Sequence, residues 1–90
     1  MPTYRVVLTR NAERGLRSIR RGDPAAYRRV TDALVALAAQ PRPRGVTKLA
    51  GVEPPAWRFR VGVYRIVYEI SDVEVVVTVI AVAPRGEVYR

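Results

Sequence analysis

The pattern of apolar and polar positions predicts that the first half of the chain is mainly helical. Residues 4–8 alternate as in a short strand, and Thr9 follows at the N-cap position of a helix. Apolar side chains then recur every three or four residues in two segments, the first ending at Gly22 and the second beginning at Asp23 and Pro24. The buried stripes of these two helices are predicted to be Ala12, Leu16 and Ile19, and then Tyr27, Val30, Leu34 and Leu37.

The second half of the chain predicts three consecutive antiparallel strands. A proline-rich segment at 40–45 ends the second helix, because proline removes a backbone donor and clashes with the preceding turn. Strands are predicted at 56–61, 63–71 and 74–83, with hairpin turns at Gly62 and at Ser71 and Asp72. Residues 88 and 89 either add a short edge strand or form a tail. The predicted fold is α+β in the order β-α-α-β-β-β, with two helices on one face of a twisted, mainly antiparallel four-stranded sheet.

Arginines and large apolar side chains alternate along two of these strands and therefore fall on opposite faces of the sheet. The helix-covered face receives Trp57, Phe59, Tyr64, Ile66, Tyr68 and Ile70. The other face, which we expect to be free for a ligand, receives Arg58, Arg60, Arg65, Val67 and Glu69. Three like charges on adjoining strands repel, so they favour a site that a phosphate fills. For each arginine alone, a solvated surface or a pairing with a carboxylate is the alternative interpretation.

The composition restricts the chemistry and the partners. The chain has no cysteine and no histidine, which argues against disulfides, a zinc site and any imidazole mechanism. The net charge of +8 favours a polyanionic or strongly acidic partner, although a GC-rich genome also produces arginine-rich proteins. One core fits in this length, so residues 1–90 are predicted to form one domain, and the longest apolar run is about half of a membrane span. We expect a cytoplasmic protein without metal or other cofactor.

The order of these residues resembles the RelE/ParE superfamily of small bacterial toxins, and more closely its RelE branch of ribosome-dependent mRNA endoribonucleases. The strongest matches are the run 62–68 (GVYRIVY), the valine-rich stretch ending at 80–83 (IAVA) and the tail 84–90 (PRGEVYR). With the helical first half, the resemblance extends over nearly the whole chain. It implies the toxin of a type II toxin-antitoxin system, an RNA-binding endoribonuclease that cleaves mRNA in the ribosomal decoding site and inhibits translation.

The resemblance also implies the residues of the active site. In the RelE family a Lys-x-Lys pair precedes a Tyr-Arg motif, and a later arginine and a tail tyrosine complete the site. The corresponding catalytic residues are Arg60, Arg65, Arg85 and Tyr89, while Arg58 matches the first lysine and, with Lys48, is assigned to binding RNA or phosphate. A guanidinium stays charged, so Arg60 is a poor general base. Either Tyr89 or a ribosomal RNA group orients or accepts the proton, or Arg60 only stabilises the phosphate and the rate of cleavage is lower.

The expected partners are the ribosome, mRNA and a cognate acidic antitoxin. By resemblance, a RelB-like antitoxin wraps the toxin with a disordered C-terminal segment, which gives a hetero-oligomer, and no membrane is involved. Two other functions stay open: a ParE-like inhibitor of DNA gyrase without nuclease activity, and a catalytically inactive member that binds only the antitoxin. The arginines of the two helices either bind ribosomal RNA or form an ordinary solvated surface.

Overall fold

The structure has two helices packed on a mixed β-sheet. The computed structural model describes residues 3–84. The elements are β1 Arg5–Leu8, α1 Arg10–Gly22, α2 Pro24–Ala39, β2 Thr47–Lys48, β3 Trp57–Val61, β4 Tyr64–Ser71 and β5 Val76–Pro84. The strands lie in the sheet order β1-β5-β4-β3-β2, in which β1 pairs with β5 in parallel and all other neighbours are antiparallel. The predicted α+β class is confirmed.

The number of strands differs from the prediction. The described part of the chain contains five strands, not four, because β2 adds a two-residue strand beside β3. Thr47 pairs with Arg58 and Lys48 with Trp57, and the Leu49 amide donates to the Ala56 carbonyl at 2.9 Å. Two residues are too few to show a period of two, so nothing in the sequence distinguishes β2 from the surrounding loop.

Both helices begin at the predicted caps. The Thr9 hydroxyl oxygen accepts from the Ala12 amide at 3.2 Å, and the Asp23 carboxylate accepts from the Ala26 amide at 3.1 Å. Thr9 also donates its hydroxyl hydrogen to the Ile80 carbonyl at 2.8 Å, which attaches the start of α1 to strand β5. Among the described helices, none is long and apolar enough to cross a membrane.

The main core lies between the helices and one face of the sheet. The predicted aromatic and aliphatic residues of β3 and β4 do face the helices, and Ile66 and Tyr68 are fully buried there. Tyr68 donates its hydroxyl hydrogen to the Pro41 carbonyl at 2.7 Å, so the loop that follows α2 is attached to the core. The helices contribute Ala12, Leu16, Ile19, Ala26, Val30, Leu34 and Leu37 to this cluster.

The opposite face of the sheet is only partly open. The loop between β2 and β3 folds over its middle and forms a second small core, in which Ala56, Val67 and Ala81 are buried and Leu49, Val52 and Ile80 pack around them. The expectation of a completely free face was therefore wrong for this central part. Arg60 and the turn after it are exposed, so the end of the sheet at the β3–β4 turn remains accessible.

Candidate active site

The β3–β4 hairpin brings Arg60 and Arg65 side by side. Gly62 has φ of +60°, which allows a tight turn in which Val61 pairs with Tyr64. Arg60 is then directly opposite Arg65, and Cβ atoms in such a pair lie about 4.5–5.5 Å apart on the same face. The two arginines line a cavity of about 170 Å³ together with the two turn residues, Gly62 and Val63. The turn thus places two arginines beside one small cavity.

Arg58 extends this basic surface along β3. It lies two residues before Arg60, on the same face and opposite Val67, about 7 Å along the strand. Arg58 and Arg65 are half-buried, whereas Arg60 is exposed. We call Arg58, Arg60 and Arg65 the hairpin arginines.

The arrangement of the hairpin arginines suits an anion. Like charges placed opposite each other across a strand pair are destabilising, and an anion bound between them removes that cost. A guanidinium donates two parallel hydrogen bonds to a phosphate, which fixes both its position and its charge. Glu69, the next acidic residue along β4, lines a different cavity. The site can therefore hold a phosphate group and stabilise additional negative charge on its oxygens.

Lys48, predicted to bind RNA, is placed elsewhere. Its register partner is Trp57, so it lies on the side of the sheet that carries this ring, and its Nζ is 5.8 Å from the ring centroid. The Arg42 guanidinium also lies over Trp57, at 5.4 Å. Lys48, Arg42 and Trp57 line a cavity of about 450 Å³ that also includes Glu69 and Glu74. The structure thus groups Arg58, Arg60 and Arg65, and places Lys48 in a separate cavity of mixed charge.

Sequence reasoning missed the charged cluster next to this second cavity. Arg42 donates to both carboxylate oxygens of Asp72, at 2.9 and 3.3 Å, and Tyr4 donates its hydroxyl hydrogen to Asp72 at 2.7 Å. The Arg42 hydrogen bonds, followed by that of Tyr4, lower the pKa of Asp72, and the hydrogen bond to Asp72 raises the pKa of Tyr4. The cluster joins the residue before β1, the loop after α2 and the β4–β5 turn. Tyr4 and Asp72 are 68 positions apart, so no local pattern predicts their contact.

Two of the predicted catalytic residues, Arg85 and Tyr89, lie outside the described residues. Strand β5 ends at Pro84, and Ala83 pairs directly with Arg65. Arg85 is thus two positions along the chain from the β5 residue that neighbours Arg65.

The chain is similar to toxins of bacterial and archaeal toxin-antitoxin systems. Residues 6–89 match the family model described as the ParE toxin of the type II toxin-antitoxin system parDE. Among solved structures, the archaeal RelE-RelB complex from Pyrococcus horikoshii contains a chain that is 31% identical, with a TM-score of 0.79 over 94% of this chain and 98% of that one. The RelBE2 complex from Mycobacterium tuberculosis gives 27% identity and a TM-score of 0.79, with 97% of each chain covered. No curated protein sequence matches.

A third structure shares the fold at lower identity. The YoeB/ParE toxin from Agrobacterium tumefaciens is 20% identical, with a TM-score of 0.78 over 90% of this chain and 98% of that one. The similarity in sequence is thus higher to the two chains from RelE complexes than to this toxin.

Proposed function

This chain belongs to the RelE/ParE superfamily of toxins from type II toxin-antitoxin systems, and from that premise we propose that it is a ribosome-dependent endoribonuclease. In this proposal it cleaves mRNA in the ribosomal decoding site and so inhibits translation. The placement of Arg60 opposite Arg65 is the observation that supports it most, since the reaction takes place at a phosphate and these two cations share one cavity.

The proposed reaction is attack of a ribose 2'-oxygen on the adjacent phosphorus. The bond between the 2'-oxygen and phosphorus forms and the bond to the 5'-oxygen breaks. The 5'-oxygen takes up a proton from water, so the products are a 2',3'-cyclic phosphate and a 5'-hydroxyl. Arg60 and Arg65 stabilise the charge that grows on the phosphate oxygens, and Arg58 binds a neighbouring phosphate. Arg85 is a third cation for the same oxygens. Tyr89 or a ribosomal RNA group accepts the 2'-hydroxyl proton, because an arginine keeps its own proton.

Expression of the protein with parallel measurements tests the proposal. Induced protein should stop growth by stopping translation, and mapping of 5' ends should show new cuts in translated mRNA. Gyrase supercoiling, assayed in the same extracts, should not change. Normal protein synthesis at confirmed soluble expression would contradict the proposal, and loss of supercoiling without mRNA cuts would establish gyrase inhibition instead.

Substitution of Arg65 tests the site itself. Arg65→Ala should abolish toxicity and cleavage, because a cation beside the reacting phosphate stabilises the transition state by about 3 kcal/mol. Arg5→Ala is the matched control: Arg5 pairs with Val76 and so lies on the same face of the sheet, at its β1 edge. The control should keep full toxicity. Circular dichroism must show that both variants are folded, and full activity of a folded Arg65→Ala protein would place the site elsewhere.

A double-mutant cycle tests which group accepts the 2'-hydroxyl proton. Arg60→Lys keeps the charge but adds a group that can be neutral when other cations crowd it, so this variant should keep or gain activity. Tyr89→Phe should lose activity in the arginine protein and lose less in the lysine protein. Cleavage rates on programmed ribosomes for both single variants and the double variant measure this coupling. Independent effects would remove Tyr89 from proton transfer.

An acidic antitoxin is the proposed partner. Solved structures similar to this chain include a complex of RelE with RelB, and a net charge of +8 favours a partner of opposite charge. Co-expression of an acidic protein encoded beside the toxin gene should restore growth and form a stable hetero-oligomer. Growth arrest that persists despite soluble co-expression would exclude that protein as the antitoxin.

A further inference from the structure

Val63 is an exposed apolar residue at the tip of the β3–β4 hairpin. It is the second of the two turn residues, and it is 69% exposed. It lines the cavity of about 170 Å³ together with Gly62, Arg60 and Arg65. Three other large hydrophobic residues are exposed within residues 3–84, and none of them lines this cavity. Val63 thus presents an apolar surface directly beside two cations.

Neither the turn nor the core explains a valine at this position. Within the turn only Gly62 has a positive φ, as in a type II′ hairpin turn, so position 63 has a backbone conformation that most residues adopt. Turns usually contain glycine, asparagine, aspartate or serine, which are polar or conformationally permissive. Val63 also belongs to neither core cluster of the described residues. Its side chain therefore contributes little to the fold, and its apolar surface is open to a ligand.

The cavity combines two features that a nucleotide also combines. Arg60 and Arg65 supply positive charge for a phosphate, and Val63 supplies an apolar surface on the adjoining turn. Among the described residues, no carboxylate lines this cavity. A nucleotide carries its phosphate and its base on one ribose, and every base has an apolar face. A base can therefore lie against Val63 while the two arginines hold its phosphate.

Val63 replaces the aromatic ring that many RNA-binding sites use. Proteins that bind single-stranded RNA place the bases against exposed side chains, which are most often aromatic. The four aromatic residues of β3 and β4 pack against the helices instead, on the face opposite the hairpin arginines. The apolar residues Val67 and Ala81 are buried in the second small core. Of the apolar residues near the two arginines, Val63 is the one that a base can contact.

We propose that Val63 is a substrate-contact residue that packs against the base of the nucleotide whose phosphate Arg60 and Arg65 hold. This inference rests on the proposed function, since that function makes RNA the ligand of the hairpin. Val63 takes no part in proton transfer or in charge stabilisation. It holds the nucleotide in the orientation that places its phosphate between the two guanidinium groups.

Neutral substitutions test the contact in cleavage assays on programmed ribosomes. Val63→Ala removes two methyl groups and should raise KM about 4- to 15-fold, the effect of exposing one to two buried methyl groups. Val63→Thr keeps the shape but places a hydroxyl group against the base, so it should raise KM as well. In both variants kcat should change little, because the contact is the same in the bound substrate and in the transition state. Val63→Ile should keep the KM of the parent protein.

Val73 supplies a matched control in the other hairpin. It lies in the β4–β5 turn and is 94% exposed, but it does not line the cavity of Arg60 and Arg65. Val73→Ala should keep the KM of the parent protein. All these variants keep the net charge of +8, so a general electrostatic attraction to RNA is the same in each. The exposed positions predict unchanged melting temperatures.

A binding measurement without cleavage separates this inference from the proposed function. The purified full chain is titrated with a single-stranded RNA tetranucleotide and with the same strand made of abasic nucleotides, which has the phosphates but no bases. Val63→Ala should weaken binding of the first strand about 4- to 15-fold and leave binding of the abasic strand unchanged. If the parent protein cuts no mRNA but this base-dependent loss is found, the proposed function fails and the contact of Val63 with RNA stands.

Three results would overturn the inference while leaving the proposed function intact. The first is a parent protein that cleaves mRNA and a Val63→Ala variant with the same KM and the same affinity for the tetranucleotide. The second is an equal loss of affinity for the normal and the abasic strand, which would show that Val63 does not contact the base. The third is weaker binding of the antitoxin at unchanged KM, which would assign Val63 to a protein interface.

Discussion

Replacing Gly15 with alanine tests how closely helix α1 is packed on strand β5. A Cβ atom at this position would overlap the Val82 carbonyl oxygen and would lie 3.3 Å from the carbonyl carbon. The obstacle is the backbone of a paired strand, so it cannot rotate away as a side chain would. Val82 pairs with Ile66 in the middle of the sheet, close to the hairpin arginines. The packing of α1 thus helps to fix the strand next to the candidate site.

The expected cost can be estimated from two opposing effects. Alanine is favoured over glycine within a helix by about 1 kcal/mol, so in open space the substitution would stabilise the protein. Overpacking costs about 1–3 kcal/mol, and a rigid backbone neighbour puts this site at the upper end. Leu16 and Ile19, on the same helix, are both more than nine-tenths buried and would lose contact if α1 moved away. We therefore expect Gly15→Ala to lower the free energy of unfolding by about 2 kcal/mol.

Gly22 supplies a matched control in the same helix. No atom lies within 4 Å of a Cβ built there, so Gly22→Ala should be neutral or stabilise by up to about 1 kcal/mol. Urea unfolding followed by circular dichroism measures both variants, and an unchanged slope would show that the comparison concerns stability alone. For Gly15→Ala the melting temperature should fall by about 8–16 °C. If Gly15→Ala is as stable as Gly22→Ala, the close contact between α1 and β5 does not exist.

Two further predictions concern hydrogen bonds that hold the loops. Tyr68→Phe removes the donor to the buried Pro41 carbonyl and should cost about 1–3 kcal/mol in urea unfolding; a variant as stable as the parent would show that this hydrogen bond is dispensable. Burial raises the pKa of Tyr68 to about 12. The stabilisation that the neutral Tyr68 side chain contributes should be complete below pH 10 and should decrease as the pH rises toward 12. The free energy of unfolding of Tyr68→Phe should lack that decrease. The pKa of Asp72 is lowered, so its contribution to stability is present above the ordinary value of 3.8 and is lost as the pH falls below it. Asp72→Asn should therefore lose less stability than the parent protein as the pH falls through that acid range. If both proteins lose the same stability there, the hydrogen bonds of Asp72 with Arg42 and Tyr4 do not cause the acid dependence.

The parts of the fold that depend on neighbours in sequence were predictable. The caps at Thr9 and Asp23 require only contacts three residues away, and the structure has both. The grouping of the hairpin arginines follows from a period of two and a turn at Gly62, because a tight hairpin fixes which residues stand opposite each other. The part of the candidate site that lies within the β3–β4 hairpin could therefore be predicted from the sequence.

The parts that depend on distant contacts were not predictable. The loop over the second face covers Val67 and Ala81 through residues that carry no periodic signal. Strand β5 was predicted to begin at residue 74, but it begins at Val76, because Val75 has φ of +58°. A β-branched residue rarely adopts a positive φ, so the strand propensity of valine predicts extended backbone at position 75. The contact between Tyr4 and Asp72 joins residues 68 positions apart and depends on the pairing of β1 with β5.

The distribution of arginines gives the strongest argument that the positive charge has a function. A compositional bias spreads arginine over every surface that tolerates it. Here α1 holds five and the hairpin three of the 16 basic residues in the chain. The core covers the inner side of α1 and the helix-facing side of the hairpin, so these eight side chains lie on outward surfaces. The other eight basic residues are spread over β1, α2, the segment 42–48 and positions 85 and 90 of the sequence. The hairpin is therefore the part that a compositional bias explains least, because two of its arginines stand directly opposite each other across one strand pair, where like charges are destabilising.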